Sequence, residues 1–78
     1  MRKKERRLIV AFRSTHDAMA FEEHCERHGV QGRLIPLPKE ISAGCGLAWS
    51  APPDDPENVS NLLRSAGIVP QHMRELEV

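Results

Sequence analysis

Leu8-Ile9-Val10-Ala11-Phe12-Arg13-Ser14-Thr15-His16-Asp17 decides the fold, because it hands a strand directly to a helix. Residues 8–12 are an almost unbroken apolar run rich in β-formers, the signature of an interior strand covered on at least one face. Ser14 and Asp17 have the spacing of a capping box: Ser14 caps the helix and Asp17 reaches back to its N–H. Ala18, Phe21, Cys25 and His28 then follow in steps of three and four, one apolar face of a helix. Glu22, Glu23, Glu26 and Arg27 fill much of the remainder. Gly29 ends the helix as a C′ glycine, with Val30 as the hydrophobic residue just past the cap.

Working outward, residues 33–38 (Arg-Leu-Ile-Pro-Leu-Pro) form a second strand. Its prolines cannot donate ladder hydrogen bonds, so it belongs at a sheet edge. A loop over residues 38–46 leads to a third strand, residues 46–50, with Leu47 and Trp49 on one face. Asp55 reads as an N-cap and Pro56 as the first residue of a second helix. Val59, Leu62, Leu63 and Ala66 give that helix a clear apolar stripe, and Gly67-Ile68 repeats the cap of Gly29-Val30. From Val69 onward Met73, Leu76 and Val78 allow a last strand, which Pro70 and the charges confine to an edge.

The order is β-α-β-β-α-β, the pattern of the ferredoxin-like split β-α-β fold. This predicts an α+β protein with two helices on one face of a four-stranded sheet. Residues 8–78 form its single domain and residues 1–7 a basic N-terminal tail. In this topology the first and second strands are parallel. The loop after the second strand, the start of the first helix and the turn at residues 67–70 therefore share one end of the sheet.

Bulk composition narrows the function. A chain of 78 residues makes one small domain with a thin core. The formal net charge is zero, and the aromatics are only Phe12, Phe21 and Trp49. Both argue against nucleic acid as a partner, which calls for excess Lys and Arg and for stacking platforms. No signal peptide and no membrane-length segment is visible, so the expected location is cytoplasmic, where thiols stay reduced.

Against that background Cys45 stands out, set between Gly44 and Gly46. The expected topology brings it to the N-terminus of the first helix, near Arg13, Ser14, Thr15 and His16, with Lys39 on its own loop. Unpaired N–H groups, the helix dipole and nearby cations all favour a thiolate over a thiol. The flanking glycines leave the sulfur approachable. The bland alternative is a small residue in a tight turn. His16 can act as base to Cys45 or be an ordinary first-turn residue, and His72 can approach the same end. Cys25 lies on the apolar stripe, as a small buried hydrophobe. It falls about ten residues along the helix, ~15 Å from that end, which argues against a Cys25–Cys45 disulfide.

Other sites are weaker. His24 and His28 have the i, i+4 spacing of helical metal pairs but lack a third ligand at diagnostic spacing, so no metal is expected. Asp54 and Asp55 are read as capping residues. No phosphate loop, carboxylate pair or Ser-His-Asp set is present, and no cofactor is implied.

Ser14-Thr15-His16-Asp17-Ala18, Gly29-Val30, the run from Leu34 to Ser42 and Cys45-Gly46-Leu47-Ala48 together resemble a family of small bacterial proteins described as selenium/sulfur (Se/S) carrier-like. The resemblance covers roughly residues 8–69 and is most specific from Pro36 to Gly46. It implies traffic in reduced sulfur or selenium, with Cys45 matching the family's cysteine. It also implies donor and acceptor proteins as partners, and a carrier rather than a stand-alone enzyme.

Two readings result. In the first, the Cys45 thiolate accepts sulfane sulfur or selenium and hands it on. In the second, the domain is a non-catalytic binding or regulatory module. That module acts through a surface of Phe12, Leu47 and Trp49 on the helix-free face, or through a dimer interface. Either reading admits a homodimer, because that face would otherwise be open to water.

Overall fold

The computed structural model describes residues 5–41 and 46–77. Its elements run β1 (Arg6–Ala11), α1 (Thr15–Arg27), β2 (Arg33–Pro36), β3 (Leu47–Ala51), α2 (Pro56–Ser65) and β4 (His72–Glu77). The sheet order is β2-β3-β1-β4, and every neighbouring pair is antiparallel. This is the βαββαβ ferredoxin-like α+β fold the sequence predicts.

β1 begins at Arg6, two residues before the expected Leu8. The reason is its partner: Arg6 and Arg7 pair with Glu77 and Leu76 of β4. Arg6 also reaches Glu75 and Glu77, at 3.7 and 3.9 Å. Both pairs are exposed and add little stability, but they put two residues read as tail into the sheet. β2 stops at Pro36 rather than Pro38, and it is an edge strand as expected. β4, the least legible element, pairs with β1 over six residues.

Both helices end alike. After α1, Val30 N donates to Cys25 O and Gly29 N to Glu26 O. After α2, Ile68 N donates to Leu63 O and Gly67 N to Arg64 O. Each is a Schellman motif, and Gly29 and Gly67 sit at φ +66° and +72°. Replacing Gly29 by Ala is expected to cost about 1 kcal/mol and lower the thermal midpoint by about 4–8 °C. A melt by circular dichroism checks this. The Cβ would meet nothing within 4 Å, so any loss reports backbone strain alone. At the N-termini Ser14 Oγ accepts from Asp17 N and Asp55 Oδ1 from Asn58 N, both at 3.1 Å.

The sheet separates two apolar clusters. Under the helices lie Leu8, Val10 and Phe12 of the first strand region, Trp49 and Ala51 of β3, Phe21 and Cys25 of α1, and Leu62 and Leu63 of α2. Phe21 is stacked edge-on against Trp49, with ring centroids 4.9 Å apart. Such aromatic pairs contribute about 0.5–1.5 kcal/mol beyond the area they bury. On the opposite face Ile9, Ala11, Ala48 and Ile41 form the second cluster, with Ile35, Leu37 and Leu76 at its margin.

This distribution corrects two expectations. Phe12 and Trp49 are fully buried and Leu47 packs with them, all on the helix side of the sheet. They form no surface on the helix-free face. Nor is that face open at its centre: Ile9, Ala11 and Ala48 are fully buried, with Ile41 of the loop after β2 packed on them. Among the described residues the large hydrophobics left exposed are Met19 and Val69. Among the described residues the centre of the helix-free face is thus covered, with Ile35, Leu37 and Leu76 partly buried at its margin.

Candidate functional site

The ends of the strands define the site's surroundings. Ala11 pairs with Ala48 and His72, and Pro36 pairs with Leu47. The C-terminal ends of β1 and β2 therefore share one end of the sheet with the starts of β3 and β4. Gln71 N donates to Ala11 O at 2.8 Å, bringing the turn after α2 to the same end. α1 also starts there, four residues past Ala11.

Of the predicted site residues, Arg13, Thr15 and His16 are exposed, and Ser14 is committed to capping α1. Gly46 is exposed, and its carbonyl accepts from Leu37 N at 3.0 Å. Lys39 is exposed on the stretch that turns back over the helix-free face, where Ile41 is seated. So Gly46 lies at the end of the sheet from which α1 departs. Lys39 belongs to the face opposite α1. Gly44 and Cys45 lie outside the described residues.

Cys25 is placed in full. It is a free thiol, 2 % exposed, beneath α1 in the main cluster. Burial disfavours its thiolate and pushes its pKa from 9.0 up to about 11. Between those values the unfolded chain loses this proton and the native one keeps it. The Cys25 contribution to stability is therefore complete below pH 9 and falls as pH rises toward about 11. The chain has no tyrosine to titrate in that window. Denaturant titrations across it are expected to show a declining stability that Cys25→Ala flattens; an unchanged slope contradicts the burial argument.

His28 departs from its expected place on the apolar stripe. It is the exposed C-cap of α1, because the buried face ends at Cys25 and the chain turns away. Its ring lies 4.5 Å from that of His24, whose Nε2 is 2.9 Å from Ser65 Oγ. Among the described residues no three His, Cys, Asp or Glu side chains cluster to hold a metal. No helix among them is long and apolar enough to cross a membrane.

The structure also shows a site that sequence reading missed. A groove of about 1010 Å³ runs over the helix-free face, lined by Arg7, Arg33, Ile35, Lys39 and Ser50. Among the described residues Ser50 is the buried polar one. Its Oγ accepts from Arg7 Nε at 3.0 Å. Period-two alternation would have put Arg7 on one face with Ile9, and Arg33 with Ile35. Reading Arg7 as tail hid that.

What fold and site define is a small ferredoxin-like protein with one cysteine shut in its core and a polar groove on its free face. The chain belongs to the family described as putative Se/S carrier protein-like, which it matches over residues 7–75. No curated protein and no solved structure matches it.

Proposed function

We propose that this protein carries sulfur or selenium as an adduct on Cys45, between a donor and an acceptor protein. Membership of an Se/S carrier-like family supports the class of function. The observation that carries the choice of residue is the state of Cys25. The chain has two cysteines, and burial keeps this one protonated at neutral pH. Cys45 is the other thiol, held in the chain between Gly44 and Gly46.

In this reading Cys45 attacks as the thiolate. It displaces at the outer sulfur of a donor persulfide: a new S–S bond forms at Cys45 and the donor's S–S bond breaks. The electron pair of that bond leaves with the donor thiolate. The persulfide proton stays on the transferred sulfur, and no external oxidant or reductant is needed. Handing on reverses the sequence toward an acceptor thiolate, and a perselenide reacts in the same way at selenium. Arg13 and His16 supply positive charge that favours the thiolate, Ser14 and Thr15 the start of α1, and Gly44 and Gly46 access to the sulfur.

Intact-mass measurement tests this. After exposure to a persulfide donor the native protein is expected to gain about 32 Da, removable by a thiol reductant and mapped to Cys45. A folded protein that takes up no sulfur refutes the reading.

A further inference from the structure

Three features of the helix-free groove point to a ligand. First, two arginines flank one buried side chain. Arg33 is the direct cross-strand partner of Ser50, while Arg7 donates through Nε to Ser50 Oγ at 3.0 Å. Cross-strand partners stand about 5 Å apart at Cβ, so both arginines flank the same serine on the same face. Second, among the described residues neither arginine is ion-paired with a carboxylate. Positive charges set on one face repel, and a bound anion relieves that. Third, acids stand at the rim. Glu5, Glu40 and Glu77 line the groove with Lys39, and Glu77 is already 3.9 Å from Arg6.

A bare oxyanion uses only part of this. The groove's volume of about 1010 Å³ is far larger than such an ion needs, and matches the upper range of small-molecule sites, roughly 300–1,000 Å³. Its wall of Ile35, Pro36 and Pro38 offers apolar contact. Carboxylates suit paired guanidinium forks, and an ammonium suits Glu5 and Glu40.

We propose that this groove binds a zwitterionic small molecule of amino-acid to tripeptide size, its carboxylate on Arg7 and Arg33 and its ammonium toward the rim glutamates. That this ligand is a low-molecular-weight thiol delivering or receiving the cargo rests on the carrier reading above. Binding itself does not.

The test uses the full chain carrying Cys45→Ser, so that binding is read apart from any transfer. S-methylglutathione, a tripeptide with one ammonium, two carboxylates and its sulfur blocked, is titrated by calorimetry, with thiosulfate as the bare-anion comparison. Saturable one-to-one binding of the tripeptide is expected, weakened at least about tenfold by Arg33→Gln, the loss of one charge-assisted contact. Arg64→Gln, a substitution on α2, is expected to leave it unchanged. No binding, binding indifferent to Arg33→Gln, or thiosulfate binding as tightly as the tripeptide each overturns the proposal. Loss of sulfur uptake in the wild-type chain with tripeptide binding intact overturns the carrier reading instead.

Discussion

Cys45→Ser is expected to abolish sulfur uptake, while Cys25→Ala leaves the rate and extent of uptake close to wild type. The asymmetry comes from protonation. The reactive species is the thiolate, and at neutral pH a thiol with a pKa of about 11 is anionic in roughly one molecule in ten thousand. Cys25 is also 2 % exposed, so a donor has no approach without local unfolding. Alkylation gives an independent readout: one of the two thiols reacts rapidly in native protein, and both do in denaturant. Should Cys25→Ala lose uptake while remaining folded, or should Cys45→Ser retain it, the assignment of the carrier cysteine is wrong.

Gly32→Ala is expected to be the most disruptive glycine-to-alanine change among the described glycines. A Cβ at Gly32 would overlap Cζ2 and Cε2 of Trp49. The indole has nowhere to go: Phe21 meets it edge-on at 4.9 Å, Val10 is its partner across the ladder, and it is fully buried. Overpacking a filled core costs about 1–3 kcal/mol, and a rigid neighbour puts this case at the upper end. For a domain this small that lowers the thermal midpoint by roughly 10–20 °C. Gly46→Ala is the matched comparison, since its Cβ would meet nothing within 4 Å. It is expected to stay within about 0.5 kcal/mol of wild type. A Gly32→Ala protein as stable as Gly46→Ala would show that the indole yields.

The glycines mark what is legible in the sequence and what is not. Gly29 and Gly67 were legible because a Schellman cap is local: the stripe, the glycine and the following hydrophobic residue lie within a few positions. The need for glycine at 32 is set by Trp49, seventeen residues on and one strand across, and leaves no local trace. The alternation of Leu47 and Trp49 showed that they share a face. It could not show which face the helices cover, because β1 is apolar on both. Ile41 carried no periodicity at all, so its seat over Ile9 and Ala48 was invisible, and the free face was expected to be bare. Cys25 was legible because helical spacing alone put it in the core. The Arg7–Ser50–Arg33 arrangement was not, because it depends on the register of three strands.

The burial of Trp49 has a use in every experiment above. It is the chain's one tryptophan, and no tyrosine accompanies it. Its emission therefore comes from a single dry site boxed by Phe21 and Gly32, blue-shifted while the core is closed and red-shifted when water enters. The helix-free face lies on the other side of the sheet, and the groove reaches the indole's surroundings only at Gly32. A ligand that fills the groove is therefore read as a small change in that spectrum, and the full red shift that matches denatured protein signals damage to the fold.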